Sequence, residues 1–591
     1  MTQALRPSVF VRPFQTFRSA SCIIALGMML CFAPALRAQD KPLPPPRDFK
    51  PETKELRDVL PALSLPEYVI TGSDMIRFVE DRKGAASEPD SRMFTARAGR
   101  GEREPRFTDT SPTRMPLRKP DLTGSDEVLR LRAGIGMYST PLFEIWYGDR
   151  YTDGDAAAHA AYERSAGHVD RADYSAFHFD MRGGTYLPRD VHPLFASSRL
   201  QADAAVDVRD YGLFADRLTR SDQQMDLDFR RRTLGLRLGA DLLSRRNVLA
   251  DHTLRLSFAH RSIDETLGLR DSLELDEYRQ IENRLGLDAT TRLSMGSHDV
   301  DFSLLLHVND LSERGPGSTR PFYIKGSGGT VFPLGDATRL EAGLALNLYR
   351  GSDHASQFRL YPTLLLRRML NSNWSLFGGW LPEVREHTLE EFLHVNPYMM
   401  LASVIRHSDI PWRFTLGTEF DNRRKSSARF AIEYLSTSSW PRFSLLPDPV
   451  RQQWELRYDG RASVFSARTE LSHRFGPDTR LQASLDLRTS ALGEAQGRIP
   501  YLPDYEARLL LSHAFPFGLC LQSTMQLVGE QEADGGALPA WLLLGLELDY
   551  RLLPNLGLFL RFDNLLDQNR QQWPGYRERP FFLMGGVTAH F

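Results

Sequence analysis

The chain has 591 residues, of which 41% are hydrophobic and 25% charged, with a net charge of −2 and a mean hydropathy of −0.36. That balance gives no basic footprint for nucleic acid. Outside the N-terminus no apolar run approaches the ~20 residues of a membrane-crossing helix. A large β-barrel stays open, because strands with one polar and one apolar face average to neutral hydropathy.

Arg6, Arg12 and Arg18 precede the apolar run Cys22–Phe32, and Leu36-Arg37-Ala38 suits a cleavage site. Residues 1–38 therefore read as an export signal. Cys22 and Cys31 fall within it and leave Cys520 alone, so no disulfide framework or cysteine-rich metal site is expected. Residues 39–125 read as a periplasmic extension. It opens on the proline-rich Lys41–Pro46, carries the short β-prone segment Leu65–Gly72, and continues through Asp81–Lys119, which is crowded with Arg, Gly, Ser and Pro. Such a stretch is too poor in aliphatics to build a core and reads as loop or disorder.

From residue 126 the texture changes to a period of two. Leu340, Ala342, Leu344, Leu346 and Leu348 alternate with Glu341, Gly343 and Asn347, and Leu542, Leu544, Leu546, Leu548 and Tyr550 with Gly545, Glu547 and Asp549. Alternation of this kind makes strands with one wet and one apolar side. Repeated over most of a long chain, it predicts an all-β fold for 126–591, a transmembrane antiparallel barrel with lipid outside and a watery lumen. At about 20 residues per strand and connection this length holds roughly 20–24 strands; the even number expected is 22.

Short turns are predicted at Gly335-Asp336, Asn371–Asn373, Gly476–Asp478, Pro516–Gly518 and Pro554-Asn555. Longer polar connections are predicted near 261–275, 311–320, 383–396, 489–500, 528–538 and 565–579. Trp146, Tyr147, Tyr349, Trp380, Trp412, Trp454 and Tyr550 are read as an interfacial aromatic girdle.

The segment Phe562-Asp-Asn-Leu-Leu-Asp-Gln568, then Trp573-Pro-Gly-Tyr576 and a last strand ending in Phe591, resembles the C-terminal signature of TonB-dependent outer-membrane receptors. Asn564, Leu565, Asp567, Gly575, Tyr576 and Phe591 carry the match; Arg577-Glu-Arg-Pro580 departs from the family's Pro-Gly. Leu389–Tyr398 resembles the family's outer-loop segment. Glu67, Tyr68, Val69, Ile70 and Thr71 are similar to the short box these receptors offer to the energy-transducing TonB protein, a pentapeptide suited to strand addition. The resemblance implies the outer membrane of a Gram-negative bacterium, insertion by the barrel assembly machinery, contact with outer-membrane lipid, and uptake of a nutrient such as a metal chelate or oligosaccharide. Family receptors carry a folded plug between box and barrel, whereas residues 73–125 here supply only about fifty. The plug therefore reads as missing or vestigial. Two alternatives to driven uptake stay open: a barrel that serves as scaffold or subunit of an envelope complex, its lumen filled by a partner protein, and a passive pore.

His387-x-x-Glu390-Glu391-x-x-His394 has a metal-like spacing, but it coincides with the outer-loop segment and reads as a polar loop helix. Gly326–Gly329 reads as a flexible bend. No Ser/His/Asp arrangement stands out, so no enzyme, cofactor or metal centre is expected.

Overall fold

The computed structural model describes residues 128–591, apart from 152–153, 189–194, 196–197, 216–226, 245–250, 270–272, 296–297, 314–317, 354, 423–424, 447–451, 459 and 494–496. The expected signal 1–38, the extension 39–125 and the box-like Glu67–Thr71 lie outside the described residues.

The main sheet has 23 strands. One is the two-residue segment Ser318–Thr319, paired only with the strand before it. The other 22, from Leu129–Gly136 to Phe582–His590, each pair antiparallel with the next. The last returns to the first, with Arg130 opposite His590 and Gly136 opposite Met584. Phe591 completes the seam: its N–H donates to the Leu129 carbonyl at 2.8 Å, and its carbonyl accepts from Val128 at 2.8 Å. The sheet has no edge left to pair, as a lipid-embedded sheet requires.

The strand Thr338–Arg350 shows why this sequence makes a membrane wall. Leu344, Leu346 and Leu348 are 48%, 47% and 41% exposed on the outside, while Ala345, Asn347 and Tyr349 between them are buried on the inside. In water a belt of such leucines would forfeit the burial that stabilises a fold, roughly 2 kcal/mol per side chain. In acyl chains it costs nothing. Charge keeps to the inner face, where Arg367 meets Glu419 at 2.9 Å and Arg292 meets Asp301 at 2.6 Å.

The termini of the barrel and the short turns share one end. Gly518 supports its turn there with a φ of +86°, a conformation that favours glycine. Only 187–198 and 244–250 are longer at this end. The connections 381–411, 438–461, 493–504, 529–540 and 564–581 leave the other end.

Several expectations are corrected. Residues 261–275 are not a long loop but mostly strand: Asp251–Leu269 and Leu273–Met295, of 19 and 23 residues, exceed the ~10 needed to span and carry the wall beyond the bilayer. Asp264, Glu265 and Thr266 place polar side chains at three successive positions, which interrupts the alternation there. Gly326–Gly329 is no bend; it lies inside the strand Phe322–Pro333. The girdle is partial. Trp412 and Tyr550 are exposed outside, whereas Trp146 and Tyr349 turn inward and Trp454 is fully buried within a loop.

Candidate functional site: the mouth and inner wall of the barrel

The long connections at one end do not splay outward. They meet in a buried aromatic and aliphatic cluster that includes Leu389, Phe392, Phe443, Trp454, Tyr501, Leu538, Trp573 and Tyr576. Trp454 donates from Nε1 to the Tyr501 hydroxyl at 2.8 Å and packs edge-on against Trp573, with centroids 5.1 Å apart. Tyr576 stacks on Tyr398 at 3.4 Å and donates to the Gln452 carbonyl at 3.1 Å. Buried aromatics add specific ring contacts to their large apolar area, so five connections are held as one cap.

The cap is fastened to the inner wall by charge. Arg231, fully buried on the strand Leu227–Leu243, meets Glu265 at 2.8 Å and donates to the Met399 carbonyl at 2.8 Å. Within 381–411 a short helix, α1 (Leu389–Val395), buries Leu389, Phe392, Leu393 and Val395. Its first N–H groups have no partner inside the helix. The Thr388 hydroxyl accepts from Glu391 N at 3.1 Å, and the Glu282 carboxylate on the wall accepts from Leu389 N and Glu390 N, both at 3.2 Å. Just before α1, Glu386 receives Arg284 at 2.7 Å and His307 at 2.6 Å, and the Tyr323 hydroxyl donates to the Val384 carbonyl at 3.0 Å.

Burial and neighbouring charge compete in the ionisation of the cap. It lowers the His407 imidazole to about 4, against the opposing pull of Glu386. Burial would raise Glu386, but the hydrogen bond from His307 and the charge of Arg284 outweigh it and hold the carboxyl below its ordinary range. Burial lifts the Tyr501 phenol to about 12.

The spacing His387…His394 resolves into this docking. His387 faces Glu391 at 3.2 Å but is also bonded to Ser408 at 2.9 Å, and Glu390 pairs with Arg261 on the wall. The C-terminal signature residues gather in the connection 564–581 and at the seam. Asn564, at φ +49°, donates to the carbonyls of Gln568 and Arg579. Leu565 N donates to the Leu544 carbonyl at 2.9 Å, and Asp567 accepts from Phe581 N at 2.8 Å. Gly575, at φ +84°, holds a backbone conformation that favours glycine and packs against the Gln452 amide. Arg231, Glu265 and Glu282 were not singled out by sequence. Their signal is weak, since Arg231 is one of three consecutive arginines and Glu265 follows Asp264, and only the register aims each at the cap.

No family model matches the sequence, and no curated protein does. In three dimensions the chain is similar to the FrpB iron transporter from Neisseria meningitidis, at 10% identity and a TM-score of 0.61, over 78% of this chain and 81% of that one. It is also similar to the pyoverdine outer membrane receptor FpvA from Pseudomonas aeruginosa PAO1, at 11% identity and a TM-score of 0.58, over 78% of each chain. The chain has the barrel fold of the TonB-dependent receptors. The copper transporter OprC shares it too, at 14% identity and a TM-score of 0.55, over 78% of this chain and 80% of that one. The likeness read from Asn564 to Phe591 and the count of 22 strands thus agree with a receptor-type barrel.

Proposed function

We propose that this chain is an outer-membrane transporter of the TonB-dependent receptor type that takes up a nutrient or metal chelate. The observation that carries the reading is a 22-strand ring whose own connections meet in one buried cluster at its mouth. Strands spaced about 4.8 Å and tilted about 40° give such a ring a diameter of roughly 40 Å. An open hole of that size would discard the barrier function of the membrane, so a cap fastened by Arg231, Glu265 and Glu282 fits capture and gating better than passive flow. In this mechanism the outer connections bind the solute, and the segment Glu67–Thr71 engages a TonB-type protein in the periplasm, whose pull frees the path through the lumen.

The fold of the FrpB, FpvA and OprC proteins, named for iron, pyoverdine and copper, supports metal species as the first substrates to try. The test is growth of a deletion strain on a panel of iron and copper chelates as sole metal source. Restoration by the full chain, but not by one lacking 65–72, agrees with energised uptake. Equal uptake by both forms removes the TonB step.

The short interval 73–125 favours a second reading, a subunit of an envelope complex whose lumen is completed by a partner protein. Affinity purification of the intact chain from native envelopes separates the two. A stoichiometric partner retained without any energy-transducing protein favours the subunit.

A further inference from the structure

Half-way along the inner wall, three neighbouring strands bring together side chains that the cap does not use. His159 lies on Gly154–Ser165, His178 and Asp180 on Tyr174–Tyr186, and Asp207 on Arg199–Gly212. The register does the work: His159 is opposite Asp180, and His178 is opposite Asp207. Side chains directly opposite on one face are close enough to interact. Asp180 Oδ1 lies 2.7 Å from His178 Nε2 and 3.3 Å from His159 Nδ1. Among the described residues, this is the group of three metal-ligating side chains whose donor atoms converge, all within 4.8 Å of one another.

The bland account is one more polar ladder of the lumen, and three features go beyond it. His178 is oriented through its other nitrogen, since Nδ1 lies 2.7 Å from Asp207 Oδ1. The second oxygen of Asp207 is in turn held by Arg237 at 3.0 Å. A carboxylate behind the far nitrogen of an imidazole is the usual support of a metal-ligating histidine, because it fixes the ring and its tautomer. The His159 ring is set by packing, almost parallel to Trp146 with centroids 5.1 Å apart. His178 and Asp180 keep 26% and 28% exposure toward the lumen, so a fourth position faces water.

We propose that His159, His178 and Asp180 form a binding site for a divalent transition metal of the zinc and copper class, with Asp207 positioning His178. Two imidazole nitrogens and one carboxylate oxygen suit Zn²⁺ and Cu²⁺ and discriminate against Mg²⁺ and Ca²⁺, which prefer oxygen ligands throughout. Three protein ligands with one open position hold an ion that can still exchange water or take a further ligand. The site requires only the barrel wall and does not depend on the transport reading.

The test uses the mature full chain in detergent, without a polyhistidine tag, stripped of metal and titrated with Zn²⁺ against a chromophoric chelator. The expected result is one tightly held ion per chain, with Cu²⁺ held more tightly and Mg²⁺ unable to compete. H178A and D180N each abolish the tight site, H307A leaves it intact, and D207N weakens it about 10–100-fold at unchanged stoichiometry. The heat-dependent gel shift of every variant reports that the barrel is formed. Zn²⁺ binding that survives both H178A and D180N in folded protein, or no tight Zn²⁺ binding by the unmutated chain, overturns the proposal.

Discussion

Glu265 and Gln453 are joined by a hydrogen bond of 2.8 Å, donated by Gln453 Nε2. Glu265 stands on the wall strand Asp251–Leu269, whereas Gln453 belongs to the connection 438–461, which rises toward the far side of the ring. One carboxylate therefore holds a loop that has crossed the mouth, and through its other oxygen the buried Arg231.

Replacing Glu265 by Ala leaves Arg231 buried without its anion, a loss of about 3–5 kcal/mol for a broken buried pair. The damage is expected in the cap and not in the ladder of the barrel. Hydrogen exchange in 381–411 and 438–461 accelerates and planar-bilayer current rises, while the heat-dependent gel shift is retained. Unchanged exchange in those two connections contradicts the role given to this pair.

Tyr576→Ala removes a fully enclosed ring from between Tyr398, Trp454 and Phe214. Truncating a core aromatic costs about 3–5 kcal/mol. Tyr576→Phe loses only the bond to the Gln452 carbonyl, about 1 kcal/mol. Fluorescence of the neighbouring Trp454 and Trp573 during thermal unfolding should place the two variants in that order.

Acidification should loosen 381–411 through His407. Its folded pKa, about 4, lies below the ordinary value of 6.5. The folded state thus binds fewer protons than the unfolded one. The stabilisation is complete above about pH 6.5 and is lost as the pH falls toward 4, with a limit of about 3 kcal/mol. Exchange protection of residues 400–411, followed from pH 7 to 5, should decline in the unmutated chain and stay flatter in His407→Gln. Identical slopes would remove His407 as the source.

The two faces of one hairpin predict opposite responses to charge. Leu346→Arg places a cation on the acyl-facing side, at about 2–4 kcal/mol near the bilayer midplane. Ser327→Arg, opposite the inward Ala345, places it in the lumen and should be tolerated. Folding yields in lipid vesicles compare them directly.

The barrel was legible because lipid imposes a period of two on every spanning strand, as in Thr338–Arg350 and Trp541–Leu553. Where polar residues fall on both faces in succession, as at Asp264–Thr266, the signal breaks, which is why 261–275 read as loop. Trp146 and Trp454 show a second limit. An aromatic at the end of a strand reads the same whether it points to the interface or into the mouth, and only register and loop path decide. The cap was illegible for a related reason, since Trp454, Tyr501 and Tyr576 are far apart in sequence and no local pattern pairs them. His159, His178 and Asp207 likewise acquire meaning only when three strands are paired.

The central claim is a closed wall with acyl chains on one side and water on the other. Single cysteines at residues 344–349, in a chain with Cys22, Cys31 and Cys520 replaced by Ser, can be labelled with a fluorophore in vesicles and quenched from lipid or from water. The account predicts strict alternation: lipid-borne quenching at 344, 346 and 348, and none of it at 345, 347 and 349. Equal quenching by the aqueous reagent at all six positions would contradict it.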